Sequence, residues 1–219
     1  MRPSLEPAGL AAALRRATAA VHREAERSGI VRDILEGRID RRSYALYLRN
    51  LLPAYRALER GLEGHRGTPG VRELVLPQLY RAGPIADDLA VLAGPGWEGD
   101  LPLLTAGVAY GQRVQAAAGG DGARLVAHAY TRYLGDLSGG RILGRLVGRN
   151  PGMAGVELAF HDFPDIPDPE AFKAAYRAAL DRAGRAMADP GAVVDEALVA
   201  FRLNIDVSEA VRSATARSP

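Results

Sequence analysis

Apolar residues recur at intervals of three and four through almost the whole chain, and no stretch alternates apolar with polar residues as a half-buried strand does. The clearest run lies within 40–60, where Tyr44, Tyr47, Leu48, Leu51, Leu52, Tyr55 and Leu58 share one helical stripe, with Gly61, Gly64 and Gly67 expected to close it. Further helices are predicted over about 9–27, ended by Ser28-Gly29, and over a short 30–36. Residues 70–93 form one helix or two pieces broken at Pro77 and Pro84. Others follow at about 101–118, 121–148, 169–187 and 191–212. Residues 149–169 carry Pro151, Pro164, Pro167 and Pro169 with little periodicity, and so form a loop. No repeat of fixed period appears. These patterns describe a single all-α domain over residues 1–212 with irregular, non-bundle packing, followed by a flexible tail at 213–219.

Composition removes several classes of function. Cysteine is absent, which excludes disulfide scaffolds, thiolate nucleophiles, Fe–S clusters and Cys-based zinc sites. The formal net charge is +2, and the arginines are scattered rather than blocked beside aromatics, so no nucleic acid partner is expected. No apolar run is long enough to span a membrane. The opening MRPSLEPAGLAAALRR has a short, Ala-rich apolar run and reads as the start of an amphipathic helix rather than a signal peptide. A cytoplasmic location is the expectation.

One segment conflicts with its own helical pattern. YTRYLGDLSGG, residues 130–140, places Gly135, Gly139 and Gly140 inside the 121–148 helix, where each interior glycine costs roughly 1 kcal/mol relative to alanine. Leu125, Ala129, Tyr133 and Leu137 form one stripe, whereas Gly135 and Gly139 share a different face. A face without side chains lets either a neighbouring helix or a flat ligand approach the backbone closely. Arg132 and Asp136 stand four apart and can pair beside that face. The spacing fits neither G-x-G-x-x-G nor a phosphate-binding loop.

Four histidines complete the inventory of possible ligands. His22 precedes Glu26 by four residues, so the carboxylate can accept a ring N–H and orient a metal-bound imidazole, or form an ordinary surface pair. His65, in a Gly-rich turn, and His161, in the Pro-rich loop, are expected to be solvated, and His128 to be a packed helix residue. Neither repeated Glu-x-x-His nor H-E-x-x-H occurs, which argues against a diiron or zinc-protease site. If a metal binds, a single His donor suits an iron already held by a macrocycle.

Beyond periodicity, VAHAYTRYLGDLSGG closely resembles the distal-helix signature of the heme oxygenases. LRRATAAVHREAE is similar to their proximal-histidine segment, and FKAAYRAAL and ALVAFRLNIDVSEAV to their C-terminal helices. The likeness runs from about residue 10 to 210. It implies the all-α heme oxygenase fold, with heme b held between a proximal and a distal helix. His22 is then the axial iron ligand and Glu26 its partner. Gly135 and Gly139 admit the porphyrin and dioxygen, and Gly140 supports the helix bend. Asp136 organises distal waters that pass protons, with Arg132 and Tyr55 in the same network. Tyr130 donates to a propionate, and Arg15, Lys173 and Arg177 are the basic positions at the pocket mouth. Ala19 departs from the mammalian members, which carry a second lysine there. Phe201 is a wall residue, with Asn204 on the same helix.

The resemblance further implies oxidative cleavage of heme to biliverdin, carbon monoxide and ferrous iron, with heme as both cofactor and substrate. Dioxygen is consumed, and electrons come from a ferredoxin-, flavodoxin- or flavoprotein-type reductase docking on Arg15, Arg16, Lys173 and Arg177. A bilin acceptor is a possible downstream partner. Two other readings share the scaffold. A heme carrier needs His22 but no distal acid, and a thiaminase-like hydrolase needs a nucleophilic cysteine, which this chain lacks.

Overall fold

The longest apolar stripe becomes the centre of the molecule. In the computed structural model, which describes residues 9–216, helix α3 (Arg41–Gly64) is buried around most of its circumference. A capping box starts it: Ser43 N–H donates to Asp40 Oδ1 at 2.7 Å, and Asp40 N–H donates to Ser43 Oγ at 3.0 Å. The helix runs through Pro53 and past Gly61, so the glycines expected to end it do so only at Gly64. Tertiary packing on all sides outweighs the local preference.

Around α3 lie α1 (Leu10–Ala25), α2 (Gly29–Leu35), α4 (Ala82–Ala93), the single-turn α5 (Trp97–Asp100) and α6 (Thr105–Ala117). They are followed by α7 (Leu125–Ala129), α8 (Arg141–Arg149), α9 (Pro169–Ala186) and α10 (Pro190–Thr215). The 70–93 region is in broken pieces: 3-10 turns at Arg72–Leu74 and Pro77–Leu79 precede α4, with Pro77 opening the second turn and Pro84 in the first turn of α4. The loop at 149–169 is as read from the sequence, with one 3-10 turn at Pro151–Met153. The last helix continues past residue 212 to Thr215; the remainder of the predicted tail, 217–219, and the segment 1–8 lie outside the described residues.

Close approaches explain several glycines and caps. A Cβ on Gly107 would stand 2.6 Å from Asn50 Oδ1, and one on Gly111 2.7 Å from Pro53 Cβ, so α6 lies directly on α3. Asn50 Oδ1 accepts the Leu104 N–H at 2.7 Å and thereby caps the start of α6. Helix α10 packs against α1, α2, α3, α6 and α7 and ties the ends of the chain to its centre. Where it meets α2, Gly29 adopts φ +51° and its N–H donates to Glu209 Oε1 at 2.7 Å.

Between α7 and α8 the helix does not break but widens. Tyr130–Leu134 and Asp136–Gly140 are π-helical turns, so the 121–148 element of the sequence is one continuous rod with an irregular middle. π-Turns redirect side chains relative to an α-helix and collect at functional sites. Here they coincide with the glycine-bearing motif.

Candidate active site

A cavity of about 920 Å³ opens between α1 and the π-helical segment. That volume lies in the range of about 300–1,000 Å³ usual for cofactor sites. From α1 come Arg15, Thr18, Ala19 and His22, and from its C-cap Glu26; from the facing segment come Tyr130, Arg132, Gly135, Asp136 and Gly139. Gly135 and Gly139 face empty space: a Cβ on either would meet no atom within 4 Å. These two glycines therefore clear a face rather than admit a helix, and a flat group fits against them.

Behind that face is a closed polar network. Tyr55, fully buried on α3, donates to Asp136 Oδ2 at 2.6 Å. Arg132 donates through Nε and Nη2 to the Tyr55 hydroxyl at 2.8 and 2.7 Å, and its Nη2 lies 3.3 Å from Asp136 Oδ1. Its Nη1 donates to Asn204 Oδ1 on α10. Burial pushes the Asp136 carboxyl above its usual range, and the Arg132 charge and the Tyr55 hydrogen bond oppose that shift. Tyr55 does not line the cavity; it acts on the site from behind Asp136.

On the opposite wall, His22 is half exposed, with its ring centroid 5.6 Å from that of Phe201. His22 Nδ1 lies 3.6 Å from Glu26 Oε1, close enough to orient the ring but longer than a hydrogen bond. Thr18 Oγ1 donates to Leu14 O at 2.8 Å, so the Tyr130 hydroxyl, 3.3 Å away, donates to Thr18. The Tyr130 proton thus has a protein acceptor, and only its lone pairs remain for a ligand.

Of the three basic positions, Arg15 and Arg177 line the cavity, exposed and without an ion-pair partner among the described residues. Lys173 is set apart from them. It is buried, donates to Glu170 Oε1 at 2.6 Å, and lines an adjoining cavity of about 590 Å³ on the other side of the distal rod. Asp181, unmarked in the sequence, also lines the mouth and caps α1 by accepting the Ala11 N–H at 2.9 Å. Its carboxylate occupies the place of a side chain on Gly9.

Histidines show the largest difference from expectation. His161 is not solvated: its Nδ1 is buried, its Nε2 lies 2.8 Å from the Tyr44 hydroxyl, and burial lowers its pKa to about 4. Its ring fills the space left by Gly140 and Gly144, whose Cβ atoms would stand 3.3 Å from His161 Nδ1 and 2.7 Å from His161 Cβ. That pair of glycines, four apart, was the available signal, but only the fold shows that a loop residue occupies the gap. His65 is likewise engaged, at 3.0 Å from Thr68 Oγ1 and 2.8 Å from Ala118 O. His128 is a packed helix residue, 3.0 Å from Glu196 Oε1 and away from the cavity. Among the described residues, no group of three or more His, Asp or Glu side chains could hold a metal ion.

The same arrangement of helices recurs in known proteins. The heme oxygenase family model matches residues 8–210. Heme oxygenase 1 of Rattus norvegicus is 36% identical over 217 residues, 97% of this chain and 75% of its own length. Heme oxygenase 1 of Nostoc sp. strain PCC 7120 is 38% identical over 200 residues, 90% of this chain and 83% of its own. The crystal structure of heme oxygenase-1 from the cyanobacterium Synechocystis sp. PCC6803 in complex with heme superposes with a TM-score of 0.89 at 34% identity, covering 95% of each chain. Matches of this length, carried by one motif-bearing rod and the helices that face it, establish that the chain belongs to the heme oxygenase family.

Proposed function

We propose that this chain cleaves heme oxidatively, releasing biliverdin, carbon monoxide and ferrous iron, with electrons delivered by a ferredoxin-, flavodoxin- or flavoprotein-type reductase. The observation that carries this reading is the pairing across one cavity of a lone His22 with the open face of Gly135 and Gly139, backed by Asp136. A carrier needs the histidine and the open face; it has no use for a buried acid held by two donors beside them.

The residues present suit heme. Heme, when bound, supplies the iron that reacts with dioxygen and the ring that is opened. His22 turns Nδ1 toward Glu26 and keeps Nε2 as the iron donor. Phe201 limits the tilt of the imidazole. Arg15 and Arg177 hold the propionate carboxylates at the mouth, while Lys173, spent on Glu170, contributes less. The glycine face and the apolar wall of Ile34, Leu134 and Leu143 exclude bulk water. Asp136, with Oδ2 held by Tyr55 and Oδ1 beside Arg132, keeps its remaining lone pairs for an ordered water and passes protons through it.

The test is a hemin titration followed by reduction in air. A sharp Soret band that decays into red absorbance, with carbon monoxide released, is the expected outcome. A Soret band that persists with a competent reductase identifies a carrier, and the absence of hemin binding removes heme altogether.

A further inference from the structure

Lys173 does not line the heme cavity. It lines the adjoining cavity of about 590 Å³ across the distal rod, a volume that is again within the range of about 300–1,000 Å³ usual for organic ligands. The two spaces share a wall, since Ser138, Ile142 and His161 line both.

The second lining combines three kinds of group. Arg141 and Arg145 stand four apart on α8, exposed and without an ion-pair partner among the described residues, and both face this cavity. Lys173 completes a set of three cations. Its side chain is 11% exposed and that of its partner Glu170 is 83% exposed, so the ammonium is fixed against the cavity while Glu170 stands in water. A ligand carboxylate can take the place of so exposed a partner at little cost. Leu137, Val156 and Leu158 supply an apolar floor, and Gly148 leaves it open, because a Cβ there would meet no atom within 4 Å. Asp162 is the third element: its carboxylate has no hydrogen bond or ion pair among the described residues, and with the Ser138 hydroxyl it can accept N–H groups. Such a lining selects a molecule with an apolar body, carboxylates for the cations and N–H donors for Asp162 and Ser138. A fatty acid lacks the N–H groups, and so does hemin, whose four ring nitrogens are bound to iron.

We propose that this second cavity binds an open-chain tetrapyrrole dicarboxylate, with Arg141, Arg145 and Lys173 taking its two carboxylates and Asp162 its N–H groups. Opening of the ring ends both the bond to iron and the planarity that suits the Gly135 and Gly139 face, and it frees pyrrole and lactam N–H groups. The product of the first cavity thus acquires the features that the second one recognises. The binding rests on the lining alone; that its ligand is made by this chain rests on the heme-cleaving reading.

The test is a calorimetric titration of biliverdin into the ferric hemin-loaded protein, with no reductant present. One equivalent is expected to bind with the Soret band unmoved. Arg141, Arg145, Gly148 and Glu170 do not line the heme cavity, so their variants isolate the second site. Arg141→Gln combined with Arg145→Gln is expected to weaken biliverdin about tenfold, and Glu170→Gln, which frees Lys173, to tighten it severalfold. Gly148→Phe, which projects a ring into the cavity, is expected to abolish binding, and a long-chain fatty acid to bind at least tenfold more weakly than biliverdin. No binding, or binding that displaces hemin, overturns the proposal. Binding indifferent to Gly148→Phe reduces the arginines to a charged surface and overturns it as well, and equal binding of the fatty acid removes the tetrapyrrole. A protein that does not hold hemin, or yields no biliverdin from it, counts against the heme-cleaving reading; the same variants, titrated in the heme-free protein, then decide the site.

Discussion

A carboxylate that works through water has to be held still without being neutralised, and Asp136 meets both conditions through Tyr55 behind the cavity and Arg132 on its lining. Tyr55 donates to one oxygen and Arg132 lies beside the other, and Tyr55 also accepts two N–H groups of Arg132. Burial raises the pKa of Asp136, and these two partners limit the rise. Asp136→Ala is therefore expected to keep hemin binding and lower biliverdin formation about a hundredfold, the usual worth of a positioned proton relay. A normal yield removes Asp136 from the mechanism. Tyr55→Phe probes the same network differently. It takes away a hydrogen bond that favours the carboxylate, so the pKa rises further and the acid limb of the rate profile moves to higher pH. It also strands buried guanidinium donors, at a cost of about 1–3 kcal/mol. Hemin affinity should stay within about twofold, since Tyr55 does not line the cavity. An unmoved acid limb means that another group sets it.

At the scale of the element, the distal rod contains two glycine pairs with opposite purposes. Gly135 and Gly139 face empty space, whereas Gly140 and Gly144 face the His161 ring. Their alanine variants should separate cleanly. Gly139→Ala meets nothing within 4 Å, so it is expected to stabilise the heme-free protein by about 0.4–1 kcal/mol through the unfolded chain. The same methyl should weaken hemin binding by on the order of tenfold, the effect of about 1–3 kcal/mol of crowding. Gly144→Ala brings its Cβ to 2.7 Å from His161 Cβ and should lower the melting temperature of the heme-free protein by several degrees. Melting curves and hemin titrations of the two variants check the pair, and a lowered melting temperature for Gly139→Ala refutes the open face. The sequence showed the rod, its glycine stripe and the Arg132–Asp136 spacing, because those follow from a period of 3.6 residues. The π-turns were not legible: they reflect a hydrogen-bond register set by what packs around the rod. His161 was hidden for a related reason, since a proline-rich loop has no period from which to read a facing direction.

On the scale of the whole molecule, helix positions were legible wherever one apolar stripe faced one core, as along α3, and less so where long-range caps decide the ends. Asn50 capping α6 and Asp181 capping α1 span 54 and 170 residues, distances that local patterns do not cross. A third long tie, Glu196, joins α10 to His128 and Arg113. Burial acts to raise its pKa, but the bonds from His128 and Arg113 prevail and bring it to about 2, below the ordinary 4.5. Because the folded value is the depressed one, the stability it contributes is present above pH 4.5 and is lost as pH falls toward 2. Glu196→Gln should flatten the acid-unfolding curve across that window; an unchanged curve assigns the loss to other carboxylates. The net charge of +2 is too small to steer a partner, so any steering must be local. Arg15, Arg16 and Arg177 are exposed, and Arg15 and Arg177 lie on the cavity lining. An acidic electron donor drawn to this rim would feel it over about 10 Å at 0.1 M salt and about 3 Å at 1 M. Its rate of reducing the hemin-loaded protein should fall at least tenfold across that range, while a small uncharged reductant shows no such loss. Arg16 lies off the cavity lining, so Arg16→Glu should slow the protein donor at low salt with hemin affinity unchanged. A salt-independent rate would move the docking surface elsewhere, because no other property of this rim would attract an acidic partner.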